Sequence, residues 1–240
     1  MGSPAYRRVL IKISGEGLCA PGGSGIDARE LDLLGNEIAA VVAIGTQLGI
    51  VVGGGNFVRG AALSSSTGIE PTTAHFMGML ATLINALALA DVLESKGVAA
   101  CVQSALAVEG VCERYVPRKA KKQLDNERVV ILAAGTGNPF VTTDTAAALR
   151  ATELGCDLLL KATKVDGVYT SDPARDPGAQ RLEHLSFDEV IKRRLEVMDL
   201  PAVDLCRQAG IPIIVCSLRE PGRIKSVAEG RKVGTTIDGS

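Results

Sequence analysis

The residues of this chain that could do chemistry gather in glycine-rich loops, and the fullest is Gly135-Thr136-Gly137-Asn138-Pro139-Phe140-Val141-Thr142-Thr143-Asp144. Glycine lets the backbone come close to a ligand, threonine hydroxyls donate to anionic oxygens, and the free amides that open a helix add positive potential. The loop therefore reads as a site for phosphate or a nucleotide. An ordinary strand-to-helix connection is the competing description, and it weakens as comparable loops are counted. Gly53-Gly54-Gly55-Asn56 sets three amides without side chains close to Arg59, a natural clamp for phosphate oxygens. Ser14-Gly15-Glu16-Gly17 and Ala162-Thr163-Lys164-Val165-Asp166-Gly167 are two more such loops.

Lysines accompany them. Lys12 lies within an apolar run, a costly position unless its ammonium meets a carboxylate or an anionic ligand. Lys161 and Lys164 repeat the placement, and Tyr169 just beyond offers a ring that can stack on a base or pack in the interior. Gly15-Glu16-Gly17-Leu18-Cys19-Ala20 formally fits a dinucleotide-binding pattern, but Pro21-Gly22-Gly23-Ser24-Gly25 breaks the helix that pattern needs. The Walker phosphate-loop pattern is absent. The basic run Arg114, Arg118, Lys119, Lys121 and Lys122 is followed by Asp125 and Glu127 and reads as a solvated helix face. His184 lies in a polar stretch without a partner at catalytic spacing and reads as a surface residue.

The elements that must hold these loops alternate. Apolar, β-branched runs predict strands at Arg8 to Ile13, Gly49 to Val52, Val98 to Gln103, Val129 to Ala134, Leu158 to Lys161 and Ile213 to Cys216. Helices lie between them. One has Asp27 as N-cap, an apolar face of Leu31, Leu34, Ile38, Val41 and Val42, and a stop at Gly45 or Gly49. A second runs from about Thr73 to Lys96 and closes at Gly97, a third covers Asp144 to Glu153, and Ser186 with Glu189 forms a capping box before a fourth. Alternation of this kind predicts a mainly parallel sheet covered on both faces, with ligands beyond the carboxyl ends of its strands. All four glycine loops then meet at one edge, which suits a long, multiply charged ligand. Asp172-Pro173 and Asp176-Pro177-Gly178 mark a turn pair suited to a mobile flap.

Composition bounds the function further. The 240 residues carry 26 basic and 27 acidic side chains, so no global field argues for nucleic acid or a membrane surface. The length and the absence of a linker predict one domain spanning 1–240. Six cysteines without C-x-x-C spacing and two histidines suggest neither a zinc site nor a disulfide framework, but small core thiols of a reduced protein. No secretory signal is evident, and the apolar stretches read as too short or too interrupted to span a bilayer. A cytoplasmic location is the expectation.

Taken together, these residues resemble the bacterial UMP kinases, the pyrimidine-specific branch of the amino acid kinase fold. The likeness covers nearly the whole chain. It rests on Lys12-Ile13-Ser14-Gly15-Glu16, Gly53-Gly54-Gly55-Asn56 with Arg59-Gly60-Ala61, and Met77-Gly78-Met79-Leu80-Ala81-Thr82. It continues in Gly135 to Phe140 with Thr142-Thr143-Asp144, Lys161 to Tyr169, and Val197-Met198-Asp199-Leu200. The resemblance implies an αβα sandwich with a mainly parallel central sheet, and ATP- and Mg²⁺-dependent conversion of UMP to UDP in pyrimidine nucleotide synthesis. It also implies a homohexamer and allosteric feedback by UTP. Contacts to ATP are implied at Lys12, Ile13, Ser14, Gly15, Gly55, Arg59, Thr163, Tyr169 and Asp172. Contacts to UMP are implied at Gly54, His75, Thr136, Gly137, Asn138, Pro139, Phe140, Val141, Thr142 and Thr143. Lys12 and Arg59 are expected to neutralise the moving phosphoryl group, Asp144 to orient a lysine or the metal shell, and ATP phosphates rather than protein ligands to hold Mg²⁺. A phosphate nucleophile is already ionised at neutral pH, so no histidine or cysteine base is required.

Three positions depart from the family pattern. His75 stands where the family has an acidic residue that contacts the UMP sugar. A neutral imidazole can accept from a ribose hydroxyl but lacks two charged acceptors, a difference of about 1.5–3 kcal/mol. Weaker UMP binding, altered nucleotide preference or compensation by a neighbour is expected. Val141 replaces an aromatic residue, and Cys101 replaces an arginine with which some relatives bind the activator GTP. Two other functions remain open at this point: a small-carboxylate or carbamate kinase of the same fold, and a catalytically weak UMP- or UTP-binding regulator. The retention of Lys12, Arg59 and Asp144 argues against the regulator.

Overall fold

The structure, a computed structural model, describes residues 4–58, 68–171, 175–176, 178–195 and 197–240. At its centre is β1 (Arg8–Ile13), flanked by β2 (Gln47–Val52) and β6 (Leu158–Thr163), both parallel to it. Outward on one side lie β5 (Val129–Ala133), β3 (Ala100–Ser104) and the short β4 (Glu113–Arg114). On the other lie β10 (Ile213–Ser217), β11 (Thr235–Asp238) and β9 (His184–Ser186). Among the described residues these nine strands form one sheet, parallel throughout except where β10 meets β11. A separate antiparallel pair, β7 (Val168–Tyr169) and β8 (Arg181–Leu182), brackets the predicted flap, of which residues 172–174 and 177 lie outside the described residues.

Strand alternation sorts the core into two layers. Val9, Ile11 and Ile13 face α1 (Ala28–Val42) and α2 (Pro71–Ser95), where Leu31, Leu34, Ile38, Leu89 and Leu93 are buried. Leu10 faces the opposite layer, built from α3 (Pro117–Asp125), α4 (Thr143–Leu154), α5 (Phe187–Arg193) and α6 (Leu200–Ala209). A last helix, α7 (Arg223–Ala228), returns to the first layer. Both faces of the sheet are therefore covered, as its apolar strands require. Lys12 has the parity of Leu10, so the register of β1 sends it toward α4.

The expected elements are present with shifted ends. Asp27 caps α1 by accepting from the Arg29 and Glu30 amides, and the helix stops after Val42, before Gly45 turns the chain at φ 89°. Pro71 starts α2 two residues before the expected Thr73, because the Glu70 carboxylate caps it at the Thr73 amide. β5 ends at Ala133 because Ala134 takes φ 61°. The Ser186 and Glu189 capping box forms as read from the sequence. The short strands β4, β7, β8, β9 and β11 were not expected; with two to four residues each, they are too short to show a period. His184, read as a surface residue, is exposed and pairs with Asp238 across β9 and β11 at 3.0 Å.

By length and composition α2 could cross a bilayer, contrary to the expectation from the interrupted sequence. Here it lies on the sheet. Its outer side carries Phe76, Leu80, Ile84 and Leu87 as an exposed apolar stripe.

Candidate active site

The parity of Lys12 determines the chemistry at the sheet edge. Its ammonium lies 2.8 Å from Asp144 Oδ1, in the first turn of α4, and Lys161 from the adjacent β6 donates to Asp144 Oδ2 at 2.9 Å. Lys161 also donates to the Val197 carbonyl. Lys12 and Lys161 are register partners across β1 and β6, so the sheet itself sets them side by side. Burial pushes the Asp144 carboxyl up, but the two lysine charges outweigh it and hold the group below its ordinary value. Burial pulls the Lys161 ammonium down, and Lys12 adds to this, so one shared carboxylate leaves Lys161 below its ordinary value. Lys12 is buried and Lys161 partly so, and they share the Asp144 carboxylate with Asp199 acting on Lys161 from further off, so the cluster is a positive spot suited to an anion.

Close packing of glycines forms the adjacent rim. The Gly53 amide donates to the Ile13 carbonyl at 2.8 Å, joining the loops after β1 and β2. A Cβ on Gly15 would stand 2.5 Å from Asn56 Oδ1 and 2.6 Å from the Gly55 nitrogen. Gly55 itself faces open space. Beneath this rim, Asn56 and Asn85 exchange side-chain hydrogen bonds at 2.7 and 3.0 Å, and Asn85 also donates to the Gly53 carbonyl. On α2, Thr82 Oγ1 accepts from the Ala134 amide at 2.7 Å while donating to the Met79 carbonyl. Neither asparagine pair nor threonine bridge was read from the sequence. Thr82 lay in a quoted motif, but nothing in its spacing announces a bond across 52 residues.

Several cavities open along this edge, and three of them each take in at least two residues expected to meet the nucleotides. One, of about 240 Å³, is lined by Gly54, Gly55, His75, Thr136, Asn138, Val141 and Thr143 together with Gly78, Thr82 and Gly135. Of the residues expected to meet UMP, Gly137, Pro139, Phe140 and Thr142 do not line it. Thr142 instead caps α4 at the Thr145 amide and donates to Asp199 Oδ2 at 2.6 Å, where Thr145 Oγ1 also donates. Asp199 thus anchors the start of α4, a role its motif did not reveal. Phe140 is 68% exposed, takes φ 64°, and meets the His75 ring edge-on at 4.6 Å.

The second cavity, of about 430 Å³, is lined by Lys161, Thr163, Tyr169 and Arg194, among others. Tyr169 is held there by donating to Asp166 Oδ1 at 2.6 Å. The third, of about 390 Å³, takes in Ser14, Glu16, Thr163 and Lys164 on the α1 side, where Lys164 pairs with Glu16. Ile13 is fully buried, so its part is limited to its backbone. Arg59 and Asp172 lie outside the described residues.

The pattern of the amino acid kinase family matches residues 7–217. A uridylate kinase of Pseudomonas fluorescens is 50% identical over 233 residues, covering 97% of this chain and 94% of that protein. The chain belongs to the amino acid kinase family, among its uridylate kinases. Solved structures agree with this placement. UMP kinase from Bacillus anthracis superposes with a TM-score of 0.94 at 38% identity, covering 97% of this chain and 96% of that one. UMP kinase from Ureaplasma parvum gives 0.91 at 35% identity, covering 97% and 98%. The uridylate kinase fold thus accounts for the nine-stranded sheet and both helical layers.

Proposed function

We propose that this chain transfers the terminal phosphoryl group of ATP to UMP, giving UDP and ADP. The observation that carries the reading is the Lys12, Asp144 and Lys161 cluster, which has one cavity on the Lys161 side and another beside the start of α4. Lys161 lines the larger cavity, and Asp144 directly follows Thr143, which lines the smaller. In this reading UMP occupies the cavity of Gly54, His75 and Thr136, and ATP the cavity of Thr163 and Tyr169, with Arg59 and Asp172 completing the donor side. A UMP phosphate oxygen attacks the terminal phosphorus, the new O–P bond forms, and the bond to the bridging oxygen of ADP breaks in line. Lys12 and Lys161 neutralise the oxygens of the moving group, and Asp144 aims both ammonium groups.

Mg²⁺ supplies charge neutralisation when bound to the donor phosphates. Among the described residues no group of three or more His, Cys, Asp or Glu could hold a metal, and both Asp144 oxygens face lysines. In this reading nucleotide oxygens carry the metal. UTP shares the uridine and a phosphate of UMP and is assigned as the feedback inhibitor. The exposed stripe Phe76, Leu80, Ile84 and Leu87 on α2 supports self-association, assigned here as a homohexamer. All six cysteines are free, which supports a cytoplasmic location.

The test is UDP formation from UMP, ATP and Mg²⁺, beside CMP, dUMP and N-acetylglutamate as acceptors. UMP-selective turnover is expected, and Lys12→Ala is expected to lower kcat by roughly two orders of magnitude or more. Its thermal midpoint should change far less. Turnover at the wild-type rate in Lys12→Ala would refute the assignment.

A further inference from the structure

Arg150 belongs neither to the acceptor cavity nor to the lysine cluster, yet it is a buried arginine on α4, 6% exposed, with three partners. Nη1 donates to Glu153 Oε2 at 2.7 Å, Nη2 donates to the Gly135 carbonyl at 3.1 Å, and Cζ lies 4.0 Å from the centre of the Tyr115 ring. The Tyr115 hydroxyl donates to the same Glu153 oxygen at 2.7 Å. Burial first, and Glu153 second, push the phenol well above its ordinary value, so it remains a donor. A helix packed on a sheet could fill this space with leucine or methionine without desolvating an ion pair. What the arginine adds is a grip on one backbone oxygen.

That oxygen sits in a strained stretch. Ala134 takes φ 61° and Gly135 φ 56°, and a left-handed alanine costs about 1–2 kcal/mol. Thr82 restrains the Ala134 amide from α2, and Arg150 restrains the Gly135 carbonyl from α4. In a trans peptide the carbonyl and the next N–H point in opposite directions. Turning the Gly135 carbonyl toward Arg150 therefore turns the Thr136 N–H away from it, and Ala134, Gly135 and Thr136 all line the acceptor cavity.

We infer that Arg150 is a positioning residue for the acceptor loop: through the Gly135 carbonyl it presents the Thr136 amide to the acceptor nucleotide, while Tyr115 and Glu153 hold its guanidinium. This rests on the reading of that cavity as the UMP site. Arg150→Met keeps the length and loses the grip; Tyr115→Phe keeps the ring and loses the bond to Glu153. UMP affinity is measured by calorimetry, KM for each substrate by UDP formation, and folding by circular dichroism and thermal unfolding. In Arg150→Met the Kd and KM for UMP are expected to rise about tenfold, with KM for ATP within about twofold of wild type. Tyr115→Phe should move UMP binding in the same direction by less.

Wild-type protein that does not bind UMP would overturn the acceptor assignment and this inference with it. Wild-type binding with an unchanged Arg150→Met would overturn this inference alone, as would equal losses for UMP and ATP, the mark of general loosening. Should Arg150→Met fail to fold, Arg150→Lys and Tyr115→Phe decide, and an unchanged KM for UMP in both overturns it.

Discussion

The two glycine loops beside the acceptor cavity need glycine for opposite reasons. At Gly53 and Gly54 the reason is crowding: a Cβ on Gly53 would come within 2.8 Å of the Gly15 nitrogen, and one on Gly54 within 2.6 Å of the Gly78 carbonyl. Neither residue takes a left-handed φ. At 135–137 the reason is conformation, since Gly135 and Gly137 take φ 56° and 82° while a Cβ on Gly135 would meet nothing nearer than 3.9 Å. The first loop is shaped by three backbones packed against one another. The second is shaped by polar restraints from Thr82, Arg150 and the Thr142 cap. A loop made by packing cannot adapt, whereas one held by separate hydrogen bonds can be tuned one bond at a time. The tunable loop is also the one that meets His75, through Phe140.

Substitutions at the two loops can break that contrast. Gly54→Ala forces a backbone clash that no rotamer relieves, and it is expected to destabilise by about 2–3 kcal/mol, with UMP turnover lost alongside. A Gly54→Ala protein that melts and turns over like wild type would show that the rim is not fixed by packing. Gly135→Ala should fold normally, lose about 1 kcal/mol to its left-handed backbone, and raise KM for UMP a few-fold. Chemical denaturation with steady-state kinetics checks both, and equal effects on stability would erase the distinction.

The smallest effect belongs to the cluster between the loops and shows at the two ends of the pH range. Asp144 holds its proton less tightly folded than its ordinary 3.8 would give. Its stabilisation is therefore complete above the unfolded value and is lost as pH falls from there through the lower folded value. Lys161, held below 10.5, has the same slope at the other end, so stability rises as pH climbs from its folded value toward 10.5. Asp144→Asn is expected to flatten the acid limb in urea midpoints measured against pH, and an unchanged limb would count against the pairing.

The six long strands were legible because apolar runs bounded by glycine and polar turns carry their own signal, and Asp27, Ser186 and Glu189 announced helix starts through local bonds. Their ends were less legible. The stop of β5 at Ala133 depends on a left-handed alanine that its side chain gives no reason to expect. At the site, the glycine loops and the misplaced lysine were visible as types and spacings. Arg150, Asn85 and Asp199 were not, because each acts on a residue distant in sequence, or on a carbonyl any residue could supply.

Sequence by itself determined the alternation of strands and helices, the place of Lys12 inside an apolar strand, and the glycine loops at the strand ends, since each follows from local propensity and a period of two or 3.6. Only the tertiary structure decided that Lys12 and Lys161 share one carboxylate and that Arg150 grips the acceptor loop. Those relations depend on strand register and helix packing, where segments far apart in the chain meet and burial makes every unpaired charge costly.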